Sequence, residues 1–153
     1  MGRPGARDRE TFSSPTLRLT VDQHDVVVAH CLDGLPEEAC GLLSGPVTSE
    51  LEPTGEVLDV YPCVSADASA RTYTVDSRDL LRATRDAEAN GAELIGVWHS
   101  HTHTDAYPSD TDVRQALESG WIYVIVSLKF AEPVMRAYRV RDGQIAEVDV
   151  EVT

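Results

Sequence analysis

Apolar and polar residues alternate from Thr16 to Thr20, the two-residue period of a strand with one covered face. From Asp22 to Leu32 the period becomes helical, with Val26, Val27, His30 and Cys31 on its spacing and Gly34 as the stop. Ala39–Ser44 is a short apolar run ended by Gly45-Pro46 and predicts a strand. Glu56–Val60 predicts another and Thr72–Val75 a short one, with the small, polar stretch Tyr61–Arg71 as a loop between them. Asp76-Ser77 caps a second helix that runs to about Asn90 and closes at Gly91. Its expected inner stripe is Leu80, Leu81, Thr84 and Ala87, with Arg82, Arg85, Asp86 and Glu88 outward. Ala92–Trp98 reads as a buried strand, Asp110–Ser119 as a helix and Trp121–Ser127 as the clearest strand of all. Val134–Arg141 and Gln144–Val150 alternate around Asp142-Gly143, a hairpin signal. Strands and helices mixed in this way predict an α/β (α+β) sandwich, a mixed β-sheet flanked by helices.

The length of 153 residues suits one domain, which buries roughly 70% of its extended-chain surface. The first fourteen residues, rich in Gly, Pro, Arg and Ser, read as a disordered leader, leaving 15–153 as the domain. No apolar run is long enough for a transmembrane helix, and no apolar stretch follows Arg3, Arg7 and Arg9 as a signal peptide requires. A net charge of −13 argues against nucleic acid, whose phosphates need a basic surface, and against an anionic membrane. Cys31, Cys40 and Cys63 are odd in number and lack C-x-x-C spacing. They fit the reduced thiols of a cytoplasmic protein and neither a disulfide framework nor a closed zinc site.

The chemistry concentrates between His99 and Asp112. On a strand, His99 and His101 share a face while Ser100 points away. After Pro108, Ser109-Asp110-Thr111-Asp112 opens a helix whose first turn carries a carboxylate back toward the strand's end. Two imidazoles and one carboxylate are three ligands for a divalent cation, with room for a water. The same serine and aspartate also make a helix cap that needs no chemistry. A further carboxylate is required as general base, and Glu37 and Glu38 both stand before the Ala39–Ser44 strand; spacing alone does not separate them.

Glu38, then His99-x-His101, seven residues, Ser109, two residues and Asp112 together resemble the JAMM (MPN+) zinc metalloprotease family. The resemblance covers the chain from about Thr16 onward. It implies a single MPN/JAMM sandwich, cytidine-deaminase-like in architecture, with one Zn2+ per chain held by His99, His101 and Asp112 and a zinc-bound water as nucleophile. It selects Glu38 as general base, because the family's glutamate stands just before a small-residue–Gly–Leu stretch, here Ala39-Cys40-Gly41-Leu42. Ser109 takes by position the role of hydrogen bonding the oxyanion or the water. The pattern requires no histidine at His103, whose contact with the metal stays open.

Thr102 after the second histidine and the run Ala106-Tyr107-Pro108-Ser109 look most like the small bacterial members. Those members release cysteine from a ubiquitin-like, thiocarboxylate-forming sulfur-carrier protein. The resemblance thus implies hydrolysis after a terminal Gly-Gly, with the carrier as partner and a cysteine synthase pathway nearby; the oligomeric state is open. Alternatives are a deubiquitinase-like isopeptidase on another ubiquitin-like modifier and a non-catalytic MPN scaffold. Scaffolds typically lose ligands, and none is missing here. A nucleobase deaminase would need His-x-Glu with Pro-Cys-x-x-Cys, and neither occurs.

Overall fold

The computed structural model describes residues 15–153; the segment read as a leader lies outside them. In chain order the elements are β1 (Leu17–Leu19), α1 (Val21–Asp33), β2 (Cys40–Gly45), β3 (Asp59–Cys63), α2 (Ser77–Ala89) and β4 (Glu93–His101). Then follow α3 (Asp110–Gln115), β5 (Ile122–Ser127), β6 (Val134–Arg141), β7 (Gln144–Val148) and β8 (Val150–Val152). Six strands form one sheet in the order β3-β2-β4-β5-β6-β7. All its neighbours are antiparallel except β4 and β5, which run parallel. The sheet is mixed and flanked by helices, as the sequence predicts.

Both long helices start on side-chain caps. Thr20 Oγ1 accepts from Gln23 N–H while the Gln23 side chain accepts from Thr20 N–H. Asp76 accepts from Arg78 and Asp79 N–H at the head of α2. α1 covers one sheet face, where Val27 and Cys31 meet Leu43, Trp98, Val124 and Val126. α2 lies on the other, where Ala83 packs with Cys40, Leu42, Val97 and Tyr123. Each large apolar side chain buried this fully contributes about 1.5–3 kcal/mol.

A bulge in β4 sets which residues reach which face. Leu43 pairs with Gly96 but Ser44 pairs with Leu94, so Ile95 is one residue extra. Ile95 turns into the α1-side core and Leu94 joins Val97 on the α2 side. Beyond the bulge strict alternation sends Trp98 and Ser100 to the α1 face and Val97, His99 and His101 to the α2 face. Trp98 lies flat under β2, where a Cβ on Gly41 would overlap its indole. Its Nε1–H donates to Leu42 O at 3.1 Å.

Four elements differ from their expected form. The strand expected at Glu56–Val60 lies at Asp59–Cys63, because Pro62 sits on an edge strand where its missing N–H costs no ladder bond. Thr72–Val75 is no strand; it contributes one bridge, Val75 to Ser65. The helix expected to reach Ser119 stops at Gln115, since the Tyr123 hydroxyl takes the backbone of Glu118. α2 is turned by one position: Ala83 and Ala87 are buried, while Leu80 and Leu81 are exposed. The hairpin turns at Asp142-Gly143, both at positive φ (51° and 78°). Its second arm then leaves the sheet at Asp149, and β8 pairs in parallel with β1.

Candidate metal centre

β4 and β5 are parallel neighbours, so the chain between them must cross over one face, and α3 is part of that crossover. The crossing returns Asp112 to the C-terminal end of β4, where His99 and His101 point. One ligand atom from each of the three lies within 4.8 Å of the others. Asp112 Oδ2 stands 2.9 Å from His101 Nε2 and 3.3 Å from His99 Nε2. The first contact is a hydrogen bond. The second is too poorly aimed to be one, so both ring nitrogens of His99 are buried without a partner among the described residues.

His101 is oriented from behind: its Nδ1 lies 2.8 Å from Asp105 O, which leaves Nε2 facing Asp112. Ser109 Oγ accepts from Asp112 N–H at 3.1 Å, and Asp112 Oδ2 accepts from Ser109 N–H at 3.0 Å. Ser109 is exposed and caps α3. Having accepted at its oxygen, it still has its own proton to donate, so capping and a contact to a reacting group do not compete.

Glu38 is brought in by its neighbours. Its N–H donates to Ser69 O at 2.7 Å, and Ala39 N–H donates to the Ser100 hydroxyl at 2.9 Å. The side chain is buried with Oε1 unpartnered among the described residues, whereas Glu37 is exposed. His103 lies past the end of β4, exposed and outside the cluster. Cys31, Cys40 and Cys63 are buried free thiols; burial pushes each up to about 12, the wrong direction for a nucleophile.

Electrostatics follow the burial. Desolvation pushes the Glu38 carboxyl up to about 7, with His101 pulling against it and Asp112 adding to it. Desolvation also holds His99 below the usual imidazole range, which favours the neutral ring. For His101 burial works downward, yet the bonds to Asp112 and Asp105 O outweigh it and its pKa is raised. Burial would raise Asp112, but the two imidazoles hold it well below the usual carboxylate range. A neutral buried imidazole with no hydrogen bond, a second imidazole and an ionised carboxylate fit a divalent cation of the zinc type. His99, His101 and Asp112 would hold it.

Two contributors carry no signal in the sequence motif. Tyr73 stacks on His99 with ring centroids 4.3 Å apart and planes 21° off parallel. The carbonyls of Ser69 and Ala70 hold Glu38 N–H and the Thr102 hydroxyl, the latter at 3.1 Å. A cleft of about 680 Å³, lined by Leu42, Leu80, Val97, Leu117 and Trp121, reaches Tyr73, whose ring stacks on His99. No helix among the described residues is long and apolar enough to cross a membrane.

Residues 20–141 match the family described as prokaryotic homologs of the JAB domain. The chain is 36% identical to a CysO-cysteine peptidase of Mycobacterium tuberculosis over 137 residues, 89% of this chain and 90% of that one. It is 29% identical to a desampylase of Haloferax volcanii over 121 residues, 76% of this chain and 84% of that one. A solution structure of a Desulfitobacterium hafniense protein superposes with a TM-score of 0.78 at 32% identity, covering 89% of this chain and 92% of that one.

Proposed function

Because the chain belongs to the prokaryotic JAB-domain family and is a JAMM-type hydrolase, we propose that it is a zinc peptidase acting on a ubiquitin-like sulfur-carrier protein. In this reading it cuts after the carrier's C-terminal Gly-Gly and releases one amino acid, cysteine. The observation that carries the chemistry is the convergence of His99, His101 and Asp112 beside a buried, partnerless Glu38 oxygen. The similarity to a CysO-cysteine peptidase supports the carrier and the product.

Held by His99, His101 and Asp112, a cation would supply Lewis-acid polarisation and the means to acidify a water near neutral pH. The chain's own residues do the rest. Glu38, as carboxylate, takes the attacking water's proton and delivers it to the leaving amine. Ser109 donates its hydroxyl proton toward the developing oxyanion. Asp105 O keeps His101 in the tautomer that presents Nε2.

The cleft ending at Tyr73 takes the extended tail that leads to the cut. Glycines at the cut let the backbone lie close to the centre. In this reading the enzyme works in the cytoplasm, beside a cysteine synthase pathway. A second reading, an isopeptidase on another ubiquitin-like modifier, draws on the similarity to a desampylase.

Intact-mass spectrometry of a carrier ending in Gly-Gly-Cys, incubated with zinc-loaded enzyme beside lysine-linked diubiquitin, separates the two. The expected result is loss of one cysteine residue from the carrier and intact diubiquitin. Cleavage of diubiquitin with an inert carrier would overturn the proposal.

A further inference from the structure

The two histidines of the centre are held in different ways. The His101 ring is fixed by a hydrogen bond from Nδ1 to Asp105 O. His99 has no such bond: to present Nε2 to a cation it must carry its proton on Nδ1, and Nδ1 is buried with no acceptor among the described residues. Metal-bound histidines ordinarily need that outer bond to fix the tautomer and the ring plane. Against the flat of the His99 ring lies Tyr73, at 4.3 Å and 21°. The other aromatic neighbour, His101, touches it edge-on at 5.0 Å and 63°, a contact that leaves the ring free to tilt.

The segment that carries Tyr73 is tied down on its C-terminal side. Ala66 N–H donates to Thr74 O at 2.7 Å, Thr74 N–H to Ser65 Oγ at 3.2 Å and Asp76 N–H to Val64 O at 2.9 Å. The same segment, 64–76, reaches Glu38 through Ser69 O and Thr102 through Ala70 O. A loop outside the ligand motif thus touches the base, the loop after β4 and one imidazole.

We infer that Tyr73 is a positioning residue for His99, its stacked ring doing for His99 what the Asp105 carbonyl does for His101. The inference rests on the cation reading above. Stacking constrains the imidazole plane, so that Nε2 stays aimed at the point shared with His101 and Asp112. The role belongs to the flat ring and not to the hydroxyl.

Tyr73→Phe and Tyr73→Leu separate ring from bulk, since leucine fills apolar space without a plane. Zinc affinity is read by competition with a chromophoric chelator, and ligand geometry by the visible absorption of the cobalt-substituted protein. Tyr73→Phe is expected to match the parent in both. Tyr73→Leu is expected to bind zinc roughly 10–100-fold more weakly, the usual loss when an outer partner of a ligand is removed, and to shift the cobalt bands. Equal affinity and spectrum in Tyr73→Leu would overturn the inference. So would a loss in Tyr73→Phe as large as in Tyr73→Leu, a result open even if the leucine variant fails to fold. A parent protein that takes up no zinc would instead overturn the cation reading itself.

Discussion

Ala39 and Ser100 hold each other twice: Ala39 N–H donates to Ser100 Oγ at 2.9 Å, and Ser100 N–H donates to Ala39 O at 3.0 Å. Ala39 follows the buried glutamate, and Ser100 stands between the two histidines. The double bond of this pair therefore sets the separation of Glu38 from His99 and His101. It also decides between the adjacent carboxylates: with Ala39 locked, Glu38 turns inward and Glu37 faces solvent.

Glu38→Gln should keep fold and metal but lose roughly 10²–10⁴-fold in turnover, the usual weight of a general base. Glu37→Gln should be silent. Steady-state kinetics beside elemental analysis checks both, and exchanged phenotypes would put the register one residue off.

Zinc should be present at one per chain, and chelation should abolish activity until zinc is returned. His101→Ala and Asp112→Ala should each lose bound metal as well as turnover, because two ligands do not hold a labile site closed. Elemental analysis after zinc reconstitution and desalting gives the answer; stoichiometric zinc in either variant contradicts the ligand set.

Without metal, Glu38 costs stability in a defined window. Its carboxyl ionises near 4.5 in an unfolded chain and only at about 7 in the fold. The unfolded state therefore releases the proton first, and folding weakens as pH rises from about 4.5 to about 7. Metal-free Glu38→Gln lacks this loss. It should melt above the parent at pH 8, with the gap closing toward pH 4. A constant gap across pH, measured by thermal melts, would rule the raised carboxyl out.

Gly41→Ala should destabilise by about 1–3 kcal/mol, the range for forcing atoms into a packed core. The new methyl would overlap Trp98 and the Tyr61 carbonyl. Gly120→Ala, with open space around its Cβ position, is the control and should be near neutral. Urea titrations of the two settle the comparison.

The convergence of His99, His101 and Asp112 was legible in the sequence because it is local. His99 and His101 follow from strand alternation, and Asp112 lies one short crossover away in a helix whose cap is written in Ser109. Helix α2 was legible at both ends from Asp76 and Gly91, since caps are chemistry of single residues. Its buried face was not: Leu80 and Leu81 look like core, yet the closer approach of Ala83 and Ala87 to the sheet turned them outward. The bulge at Ile95 left no mark either, because both its neighbours are apolar. Tyr73 was invisible for a different reason. Its partner lies 26 positions on, 99 − 73 (centroid contact in the fold), and only the path of 64–76 brings the two rings together.

The β1–β8 pair joins Leu17 to Val150, 150 − 17 = 133 positions apart. Apart from one bridge between Arg18 and Glu56, β1 has no other strand partner among the described residues. Neither strand belongs to the six-stranded sheet that carries His99 and His101. The pair therefore works as a clasp between the two ends of the described residues. Opening it bares two short strand edges without breaking a rung of the ladder beneath the centre.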